Sequence, residues 1–429
     1  MTFSTNQTNY DLLYDKEYYS EYLCLEHFIN KKLGFRVIDN CYILPGAGIF
    51  DSNGDYVDGS YFMEDQKVDH YKCTNLSIIS AEENINLNDV PEIHSTVVYL
   101  GALAGIWGHF ITDSMRLLWF TLSESYRENF ADCPLVYLPC LKFNLKGSFK
   151  RFLEILNINI SMMRRVECLT KYDRIILPEE SFFHKGENLR CFTQEYITTI
   201  ETIRNYALKN SQPVTTCKPK KIYYSYSAYS KYRTVGEDKL ERYFASKGYE
   251  IIYPEKLSLD EQLNLLINCE SFASTIGSSS HNIIFLRDDT EVILIPRSNN
   301  IADYQIALDH VHSLRISYVD SSFSIFSGKY PNIYPFLFFI SSNLRKYFHD
   351  DETESIVNIK DFKKYLRVSL GYSTSKIITY ADNPETYRYY SVVAADYFSK
   401  LFDSSWLVKL KKWLKSVPAL RNFFKRLIR

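Results

Sequence analysis

Glycine is scarce in this chain, at 15 of 429 residues, and no low-complexity tract or internal repeat occurs. That excludes a linker-rich or disordered polymer. Nine cysteines are present, but their number is odd, they are widely scattered, and no two form a CxxC pair. They fit reduced core residues rather than a disulfide frame or a zinc site, and a reducing cytoplasm is the simplest compartment. No apolar run reaches the roughly 18 residues that a membrane-spanning helix needs. The start, MTFSTNQTNYDLLYDKEYYSEY, lacks the basic and apolar regions of an export signal, so neither standard export nor a helical anchor is expected. Acidic residues are missing from 404–429, which carries eight basic ones. Because the whole chain has a formal charge of −1, the remaining 403 residues carry −9, and bulk charge excludes nucleic acid as the partner of the body.

What is present is ample core. Hydrophobic residues make up 46% and aromatics 16%, and the length suits two domains of roughly 150 to 200 residues. The second half alternates apolar strands with amphipathic helices. KIYYSYS (221–227), YEIIYP (249–254), FAST (272–275) and EVILI (291–295) read as strands, and 237–247 reads as a helix ended by Gly248. Ser258 and Glu261 form a capping box before a helix with a Leu259, Leu263, Leu266 stripe. Such alternation predicts a parallel sheet covered on both faces, with ligands at the carboxyl ends of its strands. The first half is similar: strands at 94–103, 134–139 and 173–178, a helix over 107–122, and tight β-turns between Cys41 and Phe62. The expected division is 1–210, a first α/β domain; 211–330, a second α/β domain with its ligand at the strand ends; 331–403, a helical segment returning toward the first domain; and 404–429, the basic tail. Lys209 to Lys220 is the expected linker.

Three groups of residues carry candidate chemistry. After a strand that stops at Gly277, the serines Ser278, Ser279 and Ser280 precede a short helix opening at His281 and Asn282. A glycine turn followed by free amides at a helix start favours an anion, although plain connections use the same turn. On the helix after Trp107, His109 and Asp113 lie four apart and share a face, as a general base and its orienting carboxylate would. On spacing alone, a helix-start histidine with an Asp113–Arg116 pair and no catalytic duty is the simpler reading. Arg233 follows a strand and precedes a helix, where a guanidinium grips a phosphate or stands solvated.

Taken in order, HFITD, KYRTVGED, GYEIIYPEKLSLDEQLNLLINCESFASTIGSSSHNIIFL and EVILIPR resemble glycosyltransferase family 61, in its bacterial branch associated with capsule and lipopolysaccharide assembly. The family's His and Asp four apart fall on His109 and Asp113, its basic residue on Arg233, and its Gly-rich corner with a following Asn on Gly277 and Asn282. Tyr226 stands where many members have an arginine, and IGSSS where many have a His-Gly pair. The resemblance implies two Rossmann-like domains facing across a cleft, the GT-B arrangement, here with a C-terminal amphipathic helix. It implies inverting sugar transfer from a nucleotide sugar to a glycan acceptor, with no cofactor. The donor would be held by Arg233 and Gly277, Ser278, Ser279, Ser280, His281 and Asn282, with His109 or Asp113 as base. No Asp-x-Asp triplet occurs, so no metal is expected. Other readings are a GT-B-like transferase of another group, such as pyruvyl, or a non-catalytic membrane-associated assembly protein.

In the tail, Trp406, Leu410, Trp413, Val417, Leu420, Phe424 and Leu427 recur in steps of four and three among lysines and arginines. This pattern predicts a helix lying on an anionic membrane, bent near Pro418, with the enzyme peripheral on the inner face of the plasma membrane and lipid-linked acceptors within reach. A helix docked on protein is the other reading. A chain ending at Asp403 is expected to keep its fold and to stop sedimenting with anionic liposomes; unchanged sedimentation would refute the membrane role.

Overall fold

The structure is a computed structural model that describes residues 7–13, 25–60, 90–186, 189–211, 220–229, 234–297, 301–323, 335–351 and 360–369. Arg233, the linker 212–219, much of 331–403 and the whole tail 404–429 lie outside the described residues.

In chain order the strands are β1 (Gln7–Leu12), β2 (Phe35–Leu44), β3 (Gly48–Phe50), β4 (Glu92–Ala104), β5 (Leu135–Cys140), β6 (Met163–Arg165), β7 (Thr170–Pro178), β8 (Phe182–His184) and β9 (Arg190–Phe192). There follow β10 (Lys220–Tyr224), β11 (Thr234–Val235), β12 (Tyr249–Ile252), β13 (Cys269–Thr275), β14 (Glu291–Ile295), β15 (Arg315–Val319), β16 (Ser322–Phe323) and β17 (Phe336–Phe338). They build a mixed α/β fold around two six-stranded sheets, ordered β3-β2-β7-β4-β5-β6 and β1-β15-β14-β13-β10-β12. The second sheet is parallel throughout. In the first, β7, β4, β5 and β6 run parallel and β2 and β3 add an antiparallel edge.

In both sheets the chain winds outward from one strand and then returns to its other side. From β4 it goes to β5 and β6, then to β7; from β10 it goes to β12, then to β13 and β14. The direction therefore reverses between β4 and β7 and between β10 and β13, and crevices open at the carboxyl ends of such neighbours. His109 follows β4 and Gly277 follows β13.

Side-chain alternation gives each sheet two buried faces. Val98 and Leu100 of β4, with Ile222, Phe272 and Leu294 of the second sheet, enter one core cluster shared by both halves. Val97 and Tyr99 enter a second cluster, and Tyr223, Ala273 and Ile293 a third. The shared core is filled by helices. Ile200 and Ile203 of helix Gln194–Asn210 enter the same cluster as Leu263 and Leu266 of helix Leu259–Asn268, the stripe expected from sequence. The capping box also forms, with Ser258 N donating to Glu261 Oε2 at 2.7 Å and Glu261 N to Ser258 Oγ at 3.3 Å.

Two features depart from expectation. β1, from the extreme N-terminal region, adds the edge strand of the second sheet by pairing with β15, so residues assigned to the first half contribute to the second. The helix over 107–122 is not uniform: a turn at Trp107–His109 widens to a π-helical turn at Phe110–Ser114 and tightens to a 3₁₀ helix at Met115–Leu122. Thr112 Oγ1 donates to the Gly108 carbonyl at 2.9 Å, and the Ser114 hydroxyl accepts from Ala104 N at 2.8 Å, which ties the irregular turn to β4. Such π turns supply a local widening that regular helix does not.

Gly236 and Gly248 flank helix Glu237–Ser246 with φ of 86° and 85°. A Cβ on Gly248 would meet open space, whereas one on Gly236 would strike the Phe338 carbonyl of β17. Gly248→Ala is expected to cost about 1–2 kcal/mol, the penalty of a left-handed L-residue. Gly236→Ala should cost clearly more in urea unfolding; equal losses would contradict the steric account.

Candidate active site

The two crevices meet. Trp107 Nε1 donates to Asn282 Oδ1 at 2.9 Å, joining the segment after β4 to the segment after β13. A Cβ on Gly108 would stand 2.8 Å from Ser278 Oγ and 3.1 Å from His281 Nδ1, so only glycine permits this approach. His109, Asp113, Ser278, His281 and Asn282 are thus brought to one seam.

Within it, Asp113 is the most constrained group. One carboxylate oxygen meets His109 Nδ1 at 2.7 Å; the other accepts from Tyr304 Oη at 3.0 Å and lies 3.7 Å from Arg190 Nη1. Arg190 also donates to Asp303 Oδ2 at 3.2 Å and to Tyr304 Oη at 2.5 Å, and its guanidinium lies 3.9 Å from the Tyr304 ring centre. Burial alone would push the Asp113 carboxyl up, but the His109 hydrogen bond and charge, then Arg190 and Tyr304, hold it below the ordinary value. Burial first, and the Asp113 charge second, raise the Tyr304 hydroxyl well above the usual range and keep it a donor. Tyr304 and Arg190 were not anticipated from sequence, because no motif surrounds either. The Asp113–Arg116 pair of the non-catalytic reading does not form among the described residues: Arg116 instead pairs with Glu180, beyond the end of β7.

Exposure separates the dyad. The His109 side chain is 35% exposed and that of Asp113 only 3%. The histidine is therefore accessible from the seam while the carboxylate stands behind it.

The glycine-serine corner divides its members. Gly277 has φ 148°, and a Cβ there would lie 2.6 Å from Arg297 Nη1. Ser280 is fully buried; its hydroxyl accepts from Gly277 N at 3.0 Å, approaches the Gly277 carbonyl at 2.8 Å and bonds Gln305. Asn282 Nδ2 donates to the Ser279 carbonyl at 2.9 Å while its oxygen holds Trp107. These two side chains shape the corner. Backbone bonds close from Ser280, His281 and Asn282 back to Gly277 and Ser279, and none begins at the amide of Ser278 or Ser279 among the described residues. Burial, then the charge of His109, lowers the His281 pKa to about 4, so its ring is neutral near pH 7.

Among the described residues no group of three or more His, Cys, Asp and Glu is placed to hold a metal ion, and no helix is long and apolar enough to cross a membrane.

Residues 107–293 match the model of the Glycosyltransferase 61 family. The match begins at the wall of the seam and takes in His109, Asp113 and the corner, supports that family, and marks the chain as a glycosyltransferase. No curated protein matches the sequence.

Beneath the corner, Gln305 Nε2 donates to Asp309 Oδ1 at 3.0 Å and Tyr318 Oη to Asp309 Oδ2 at 2.5 Å. Burial pushes the Asp309 carboxyl up to about 7, against the pull of these two donors. Folded protein then holds this proton more tightly than unfolded protein, so its stabilising effect is complete below the ordinary pKa of 3.8 and is lost as pH rises to about 7. Asp309→Asn lacks this loss. Its stability relative to wild type should climb between pH 4 and 7, on the order of a few kcal/mol, and level off above. Urea midpoints of both proteins across that range test it; a difference independent of pH would contradict it.

Proposed function

We propose that the chain is an inverting, metal-independent glycosyltransferase that moves a sugar from a nucleotide sugar to a glycan acceptor in surface polysaccharide synthesis, capsule or lipopolysaccharide. The observation that carries the proposal is the His109–Asp113 hydrogen bond at the seam where the strand ends of both sheets meet. It supports two facing Rossmann-like units in the GT-B manner, with the acceptor on the β4 side and the donor on the β13 side. The absence of an Asp-x-Asp triplet supports metal independence. The basic amphipathic pattern of 404–429 supports a peripheral position on the inner membrane face, close to lipid-linked acceptors.

In this reading His109, rather than Asp113, takes the proton of the acceptor hydroxyl. The oxygen attacks the anomeric carbon from the face opposite the leaving diphosphate, the carbon–oxygen bond to phosphate breaks, and the configuration inverts. Asp113 stabilises the imidazolium, and the amides of Ser278 and Ser279 face the charge that develops on the diphosphate. Asn282 and Ser280 hold the corner, and Gly277 allows its turn.

His109→Ala and Asp113→Asn are expected to lower transfer about 10²- to 10⁴-fold with the fold retained. A nucleotide panel of UDP, GDP and CMP should still raise the melting temperature of both variants. Near-wild-type rates in both would overturn the assignment of the base, and no stabilisation of the wild type by any nucleotide would favour a non-catalytic assembly role.

A further inference from the structure

Arg297, just beyond β14, is 8% exposed. Among the described residues its hydrogen bonds go to one neutral oxygen, Thr275 Oγ1, at 3.3 Å from Nε and 2.9 Å from Nη2. The guanidinium lies over the rings of Tyr226 at 4.8 Å and Phe336 at 5.6 Å. Among the described residues no carboxylate forms an ion pair with it. Glu237 acts on it only through space: Oε1 of that side chain accepts from Tyr226 N at 2.9 Å, and burial raises its carboxyl. A cation withdrawn from water costs several kcal/mol unless a negative charge approaches it. Thr275 and two aromatic faces offset part of that cost, and among the described residues no carboxylate stands within ion-pair distance to offset the rest.

The direction of the unused hydrogen-bonding edge says where that charge belongs. Nη1 is the guanidinium atom nearest the position of a Cβ on Gly277, 2.6 Å away, so it packs directly against the bare Cα of the corner. The next two amides, of Ser278 and Ser279, donate to no acceptor among the described residues. Tyr226 lies two residues beyond β10, on the other side of the reversal point, so its ring fixes the guanidinium between the ends of β10 and β13. A planar fork in that position suits two phosphate oxygens.

We propose that Arg297 is the cationic anchor of the donor diphosphate, held in place by Thr275 and the face of Tyr226. This rests on the transferase reading above and adds a phosphate-binding residue that lies beyond the family match. Because the contact is to phosphate, it is indifferent to the base: each nucleoside diphosphate that binds, and inorganic pyrophosphate, should lose the same factor.

The test uses the full chain, with calorimetric titration of UDP, GDP, ADP and inorganic pyrophosphate into wild type, Arg297→Met and Arg297→Lys, alongside melting temperatures without ligand. Met preserves the apolar stem and removes the unpaired charge, so the free protein should melt within a few degrees of wild type, while diphosphate affinity falls about 10- to 100-fold, as for loss of a charge-assisted hydrogen bond. Lys restores the charge without the fork and should bind between the two. Unchanged affinity in Arg297→Met, or a loss confined to one base, overturns the proposal. If Arg297→Met does not fold, Arg297→Lys decides: wild-type affinity overturns the proposal and roughly tenfold weaker binding supports it. A wild type that binds none of the four ligands overturns the transferase reading and this proposal with it, whereas wild-type binding with indifferent variants overturns this proposal alone.

Discussion

The structure depends on a carboxylate that no single segment satisfies. Asp113 lies out of water, and a charge so placed requires partners close enough to replace its hydration. His109 comes from the same irregular turn, Arg190 from β9 and Tyr304 from the opposite half of the chain. Arg190 links Asp303 to Tyr304, so the cluster closes on itself through alternating charges and one hydroxyl. Its integrity requires the two halves to be docked, and the shared hydrophobic core provides the force that docks them. Asp113 therefore couples the packing of the whole molecule to the orientation of one histidine.

Two glycines keep the seam tightly packed, one between the halves and one within the second. At Gly108 a methyl group would press on Ser278 and His281, and at Gly277 it would press on Arg297. The first is a demand for space between halves. The second combines space with a backbone angle that side chains resist. A side chain in place of Gly108 would push the segments after β4 and β13 apart by roughly the width of a methyl group, enough to lengthen the Trp107–Asn282 hydrogen bond beyond its useful range.

Local features of this arrangement were legible in the sequence. The apolar runs of β13 and β14, the capping box at Ser258, the leucine stripe behind it, and the four-residue step from His109 to Asp113 all depend on neighbours a few positions away. The π-helical turn preserved that step because His109 and Asp113 still close on one another while the backbone widens between them. Contacts that no short-range rule encodes were not legible. Tyr304 sits in DYQIALD without a motif, and its value to Asp113 arises from 191 residues away. β1 resembles any short polar strand until β15 is present to receive it. Arg297 reads as the residue that ends EVILIP, and only the fold reveals that it lies under Gly277 and over Tyr226. Ser280 shows what sequence type leaves open. Its type and place suggested a phosphate ligand, yet its side chain turns inward to Gly277 and Gln305, because a corner that must hold its shape also needs internal hydrogen bonds.

The distribution of charge gives the seam a direction. On the β4 side the ions of this cluster are paired: Asp113 with His109 and Arg190, Arg190 with Asp303, Arg116 with Glu180. That side is neutralised internally and presents His109, which Asp113 orients from behind. On the β13 side Arg297 is held by a threonine and two aromatic rings, His281 is kept neutral, and two backbone amides are without acceptors among the described residues. A ligand that is anionic at one end and neutral at the other is then oriented before any specific contact to its base or sugar: the anionic end goes to Gly277 and Arg297, and the neutral end is left toward His109. On the transferase reading that is the polarity inversion requires, with the leaving diphosphate and the attacking oxygen on opposite sides of the transferred carbon. The burial of an arginine with no carboxylate paired to it among the described residues is costly for folding, and its position opposite a paired acidic cluster is what makes the two ends of the seam different.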